Sequence, residues 1–224
     1  MKKTLLSFLF VFVAMVSSAL PINPYFPVAL NNSWTYSNGK TVEVSLCTEV
    51  NGVLYARISN VVGTGYITLT IDPSQVSFSS YSNPDYIMVS GYFAAKPLLK
   101  APVVLNDTWN YNLTSNGYPI EMTTTVTSIA TDVTIDNFTY IGCAELTVNI
   151  QYPNGYDWNN WLVTRRLYMY PGIGCVKRVD HWSDNTTTEI TLVSHQITAN
   201  EDNLASQATR SEEHTSELQS PNTI

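Results

Sequence analysis

Few residues in this chain have types and spacings that could do chemistry. Asp180 and His181 are adjacent, as in an acid/base pair, but neighbours on a strand point to opposite faces and cannot cooperate without a bulge. His181 and His195 could meet across adjacent strands, yet two histidines without a placed carboxylate make an incomplete zinc site, so no metal is expected. The chain has no Gly-x-Ser-x-Gly elbow, His-Glu-x-x-His pair or phosphate-cradling glycine loop, which disfavours most known single-domain hydrolases. Carboxylates dispersed over separate strands would escape that scan. No catalytic residue and no cofactor are assigned.

Tyr156, Trp158 and Trp161 lie among Asn154, Gly155, Asn159 and Asn160, a composition suited to stacking sugars on an exposed loop. The competing reading has these rings covering a sheet edge, and the unequal parity of Trp158 and Trp161 favours it. Cys47, Cys143 and Cys175 form an odd set, so at most one internal disulfide can form. Cys143 with Cys175 is the expected pair, because the strands flanking Tyr168 to Lys177 belong to one half of the chain. Closing that loop would stabilise by roughly 3–4 kcal/mol. Three free thiols are the alternative.

The 224 residues are 44% hydrophobic, 12% aromatic and 13% charged, enough for one sizeable core but not clearly for two. Collagen, wholesale disorder and coiled coil are excluded by ordinary Gly and Pro contents and plentiful Leu, Ile, Val and aromatics. A net charge of -7 argues against nucleic acid as a partner, since nothing here could neutralise a run of phosphates. Lipid, glycan and envelope protein stay open as partners.

Met1-Lys2-Lys3 precedes an apolar run from Thr4 to Val16, and Ser17-Ser18-Ala19 supplies small residues for cleavage. Residues 1–19 therefore read as a secretory signal peptide, too short for a membrane anchor. No cysteine follows the run to be acylated, so a periplasmic or extracellular protein, not a lipoprotein, is expected. At the other end, Arg210 to Ser220 agrees codon by codon with a translated sequencing adapter. Residues 210–224 are read as that artefact and 199–209 as a polar linker. Without residues 1–19 and 210–224, eight cationic and fifteen acidic residues remain, so the net charge stays at -7.

Residues 20–198 read as a single β domain with an internal duplication. Pro27-Val28-Ala29-Leu30-Asn31-Asn32-Ser33-Trp34-Thr35-Tyr36 recurs as Pro102-Val103-Val104-Leu105-Asn106-Asp107-Thr108-Trp109-Asn110-Tyr111. The halves run from about 23 to 96 and from 97 to 198, with Lys96 to Pro102 as an extended linker. The shared parity of Leu30, Trp34 and Tyr36, and of Leu105, Trp109 and Tyr111, aims each trio at the core. Trp34, Tyr36, Trp109 and Tyr111 are thus core anchors. Alternation is clear from Phe138 to Tyr152, and puts Val42, Val44, Leu46 and Val50 on one face. Asn-Gly at 38–39, 51–52, 116–117 and 154–155 supplies turns. About ten strands are predicted, with at most a short turn at Pro73 to Ser80. Polar-out alternation implies an all-β, antiparallel architecture: a sandwich, or an open curved half-barrel built from two similar halves.

Tyr25-Phe26-Pro27 with Trp34, Pro97-Leu98-Leu99 with Trp109, Phe138 before Cys143, and Tyr170-Pro171-Gly172-Ile173-Gly174-Cys175-Val176-Lys177 together resemble exported bacterial TapB-like domains. One residue fewer stands between Tyr170 and Pro171 than in the family's usual motif, and Cys175 replaces its usual Leu. The resemblance spans almost the whole mature chain. It implies an all-β envelope or secreted domain, akin to open-barrel lipoprotein carriers of the LolA and LppX type, and supplies no catalytic residue. The expected function is noncatalytic: an exported β domain for envelope or extracellular binding or assembly, holding an apolar ligand on a concave sheet face. A carbohydrate-binding module using Tyr156, Trp158 and Trp161 is the first alternative, and a secreted hydrolase with dispersed carboxylates the second.

Overall fold

The computed structural model describes residues 23–50, 53–60, 66–72, 75–81, 96–115, 118–154 and 160–197. Twelve strands appear in chain order: β1 (Ser33–Tyr36), β2 (Thr41–Val50), β3 (Val53–Asn60), β4 (Tyr66–Asp72), β5 (Gln75–Tyr81) and β6 (Lys96–Lys100). They are followed by β7 (Thr108–Ser115), β8 (Tyr118–Ile135), β9 (Phe138–Gln151), β10 (Leu162–Tyr170), β11 (Gly174–Trp182) and β12 (Thr187–Gln196). No helix occurs among the described residues. All pairings are antiparallel, in one open, curved sheet ordered β6-β5-β4-β3-β2-β1-β12-β11-β10-β9-β8-β7.

Each strand pairs with its chain neighbour within β1–β6 and within β7–β12, so the sheet consists of two six-stranded meanders. They join where β1 meets β12, with Trp34 opposite His195 and Tyr36 opposite Leu192. The free edges are β6 and β7. Three sequence expectations are corrected here. Twelve strands among the described residues replace about ten; residues 75–81 are a strand where a turn was expected; and Lys96–Lys100 is a strand paired with β5, not a linker. The meanders therefore divide between Lys100 and Thr108, a few residues after the predicted boundary. A sandwich is replaced by a single sheet curled around its own core.

The two segments of similar sequence adopt matching backbones. Asn31 and Asn106 both take φ of 69°, the left-handed region in which asparagine is among the least strained side chains. Asn31 N–H donates to Val44 O and Asn106 N–H to Val126 O, at 3.0 and 2.9 Å. Val44 N–H returns a bond to Asn32 O and Val126 N–H to Asp107 O, at 2.8 and 2.9 Å. Trp34 and Trp109 are each 6% exposed, and Tyr36 and Tyr111 are equally buried. Leu30 and Leu105 depart from the expected parity, being 51% and 44% exposed. The positive-φ asparagine turns the chain before the strand begins, so parity cannot be extrapolated back through it.

A bulge accounts for the departure in β2. Val42 and Val44 are buried as expected, but a register shift between Val44 and Leu46 turns Leu46 and Val50 outward and Cys47 toward the core. Phe138 is exposed, whereas Tyr140, Ala144, Leu146 and Val148 are buried.

Candidate functional site

Inside the curve, hydrogen-bonded registers line up one row of facing residues: Trp109, Thr124, Val148, Arg165, Asp180 and Thr188, on strands β7 to β12. The charges in this row are the unexpected feature of an interior made mainly of apolar side chains. Arg165 Nε donates to Asp180 Oδ1 at 2.7 Å and its Nη2 to Oδ2 at 3.0 Å, a bidentate grip. Arg178, two residues before Asp180 on the same strand face, donates from Nε to Oδ2 at 2.9 Å and also from Nη2. Burial pushes the Asp180 carboxyl up more than any single contact pulls it down, but the charges and hydrogen bonds of the two guanidiniums together outweigh burial and hold the carboxyl below its ordinary value. Burial and the Arg165 charge lower the Arg178 pKa, and Asp180 offsets part of this.

The paired Trp-x-Tyr modules stand behind this cluster. Burial raises the Tyr36 hydroxyl well above its ordinary pKa, the Cys175 thiol adds to the rise, and the Arg178 charge opposes it. Burial raises Tyr111 likewise, with Arg165 and a bond to Thr124 opposing. Tyr36 Oη donates to Cys175 O at 3.2 Å, and Trp34 Nε1 to Ile173 O at 2.6 Å. The turn carrying Ile173 is held by Gly172 N–H donating to Pro24 O. Gly174 has φ of 100°, and a Cβ there would meet Pro27 Cδ and Tyr25 O at 3.7 Å. The Tyr25-Phe26-Pro27, Trp34 and Pro171–Gly174 motifs thus converge on one knot beside the charged cluster.

A cavity of about 380 Å³ opens against the cluster, lined by Ser37, Asn38, Lys40, Arg165, Arg178, Trp182, Thr188, Glu189 and Ile190. Its rim is the β1–β2 hairpin, where Gly39 takes φ of 77° and Tyr36 N–H donates to Lys40 O. Ser37 docks that hairpin on β12, its N–H donating to Thr191 O and its Oγ accepting from Thr191 N–H. On the opposite wall Trp182 Nε1 donates to Thr188 Oγ1 at 3.1 Å, fixing the indole. Glu189, the acidic lining residue, pairs with Lys177 at 2.8 Å.

The residues singled out from sequence distribute differently. Tyr156 and Trp158 lie outside the described residues. Trp161 is half-buried with its ring 6.2 Å from that of Tyr152, and its N–H donates to Ser183 Oγ. His181 bonds Arg166 and Thr187, while Asp180 turns to the two arginines, so the adjacent residues serve separate networks. His195 lies opposite Trp34, whereas His181 lies opposite Thr187. Among the described residues no group of three His, Cys, Asp or Glu is placed to hold a metal ion.

The expected Cys143–Cys175 disulfide is absent: Cys47, Cys143 and Cys175 are free thiols. Strand β10 lies between β9 and β11, so two sheet spacings, about 9.5 Å, separate their backbones, beyond the roughly 7 Å a disulfide spans. Cys143 Sγ instead donates to Tyr140 O and Cys175 Sγ to Lys177 O. Burial pushes the Cys143 thiol up to about 11 and the Cys175 thiol up to about 12.

Arg165, Arg178, Lys40 and Trp182 were not singled out from the sequence. The available signal was a pair of opposite charges on the apolar parity of two strands flanking one turn.

No family model matches the chain, and no curated protein matches it. Two solved structures are similar in fold. One is a Bacteroides fragilis protein with a YmcC-like fold, named for expected export: 12% identical, TM-score 0.48, covering 76% of this chain and 98% of its own. The other is a Parabacteroides distasonis protein named as a candidate lipoprotein: 12% identical, TM-score 0.45, covering 77% of this chain and 98% of its own.

Proposed function

We propose that this protein is a noncatalytic, exported β domain that binds a small ligand in the cavity between the β1–β2 hairpin, β11 and β12. The observation that carries this reading is the cavity itself. Its volume falls within the roughly 300–1,000 Å³ of ligand pockets, and it combines fixed charge with the indole of Trp182 and the aliphatic Ile190. Its two arginines are locked to a carboxylate, an arrangement for binding rather than proton transfer. Export rests on the basic and apolar run of residues 1–19. The matched backbones at Asn31 and Asn106, with their equally buried Trp-x-Tyr pairs, support descent of the two meanders from one duplicated unit.

The interior of the curve is filled by the protein's own side chains, Val44, Leu69, Val76, Leu146 and Val176 among them. That favours the mixed cavity over an apolar groove as the binding place. A thermal-shift screen of the mature domain against small anions, neutral sugars and fatty acids, run beside esterase and glycosidase assays, tests the reading. Stabilisation without turnover, weakened in Lys40→Gln, is expected. Turnover above background, or stabilisation only by fatty acids and indifferent to Lys40→Gln, would overturn it.

A further inference from the structure

The open sheet ends in two strands of opposite character. An edge strand offers unpaired backbone N–H and C=O groups to any extended chain, and proteins blunt such edges with lysines, prolines, bulges or brevity. Strand β6 has all four: five residues, a lysine at each end, Pro97 between them, and a register shift between Val76 and Ser77 where it pairs with β5. Strand β7 has none. Its eight residues include no charge and no proline, and they pair with β8 in unbroken register from Thr108 opposite Thr125 to Ser115 opposite Tyr118. The direction of its free groups follows from one neighbouring contact. Val126 on β8 accepts from Asn106 N–H and donates to Asp107 O, so its backbone groups point toward β7. Backbone groups alternate sides along an antiparallel strand, so Thr124, Met122 and Ile120 point the same way, at Trp109, Tyr111 and Leu113. The intervening residues Thr108, Asn110, Asn112 and Thr114 then turn N–H and C=O away from β8, where no described strand pairs with them.

The geometry points to self-association: two copies pair their β7 edges antiparallel about a twofold axis, continuing the sheet from one subunit into the next. Such pairing sets residues with outward backbone groups opposite one another. Centring the axis on Tyr111 places Thr108 opposite Thr114 of the partner subunit and Asn110 opposite Asn112 of the partner subunit. All four outward residues of each strand are then used, in four pairs that each exchange two hydrogen bonds. A slide of two residues in either direction loses a pair. Charge favours the same register. Glu121 lies opposite the exposed Asn112 on β8, and its row continues through the partner's Asn110 and the partner's Thr123, so no like charges meet there. The slide that sets Asn112 against its own copy would bring both Glu121 residues into one row. Each chain carries -7, and an uncharged edge is where two copies approach with least repulsion.

Sedimentation equilibrium of the mature chain over a hundredfold range of concentration, with amide hydrogen exchange measured at both ends of that range, tests the proposal. A single strand pair is a small interface, so a reversible monomer–dimer equilibrium is expected, with exchange at Asn110 and Asn112 slowed at least threefold in the concentrated sample. Two double variants then probe the register, both carrying Asn112→Lys beside Glu121. Asn110→Lys in that background sets lysine against lysine across the axis and should weaken dimerisation at least tenfold. Asn110→Glu sets opposite charges in the same positions and should restore the native association or exceed it. A monomer at every concentration would overturn the second copy as occupant and leave the edge to a strand of another protein. A dimer with unchanged exchange at Asn110 and Asn112, or one that both variants weaken alike, would overturn the proposal too, because its interface would lie elsewhere. Should the lysine variant fail to fold, the exchange pattern of the native sequence and the opposite-charge variant decide.

Discussion

Arg165 on β10 and Asp180 on β11 face each other directly across the hairpin, joined by two hydrogen bonds of 2.7 and 3.0 Å in the interior of the curve. A buried ion pair of this kind is costly to break from one side, because the partner left behind stays charged and poorly solvated. Here two arginines would be left behind, facing each other as like charges.

Asp180→Asn should therefore destabilise the fold by about 3–5 kcal/mol, read from urea midpoints at neutral pH. Replacing Arg165, Arg178 and Asp180 together by apolar residues of similar size should recover much of that loss. A triple variant as unstable as Asp180→Asn would show that the cluster supports the fold through more than mutual neutralisation.

Acid should expose the same interaction. The folded-state pKa of Asp180 lies below the unfolded value of about 3.9, so its contribution is complete above that value and is lost as pH falls through the folded one. Urea midpoints should drop between about pH 5 and 2 in the native sequence, and drop less in Asp180→Asn, which has no proton to gain there.

Trp34→Ala and Trp109→Ala should each cost roughly 3–5 kcal/mol, the usual penalty for emptying an aromatic core position. Trp34→Phe should still cost about 1–3 kcal/mol, since Ile173 O loses its indole donor. Chemical denaturation of the three variants checks both figures.

Thiol titration distinguishes the free-cysteine state from a bridged one. At pH 8 Cys143 and Cys175 should resist a disulfide-exchange reagent, since burial holds both thiols protonated, and the half-buried Cys47 should react slowly. In denaturant without reductant, all three should react. One equivalent in place of three would mean that a disulfide forms after all.

Deleting residues 210–224 should leave the melting temperature unchanged within error, as follows if that segment is translated adapter that was never selected to complete a core. A fall of several degrees would refute the reading.

The antiparallel all-β class and the β8–β9 hairpin were legible from alternation, because polar and apolar residues change places with period two along a sheet with one wet face. The Asn38-Gly39 turn was legible too, and it is what brings Lys40 to the cavity rim. The charged cluster was hidden by a bulge. Counting outward from the Tyr170–Gly174 pair sets Arg165 opposite Val179; the shift between Tyr168 and Met169 advances the register by one and delivers Asp180 instead. The disulfide expectation failed for a related reason. Strand β10 runs between the two cysteine-bearing strands, and alternation along a strand does not say which strands are neighbours.

The junction of β1 with β12 also gives the chain an unusual relation to its own ends. Ser33 lies opposite Gln196, so the first and last strands of the domain are immediate neighbours, while the free edges belong to β6 and β7 in mid-chain. Read from β7 through β12 and on through β1 to β6, the sheet is an uninterrupted up-and-down meander, in which each strand pairs with the one before it. A circular permutant joined across Gln196 and Ser33 and opened between Lys100 and Thr108 would keep every strand pairing while making all of them local. The native order instead makes one long-range pairing, with Trp34 opposite His195, the closing step that unites two otherwise self-sufficient hairpin series.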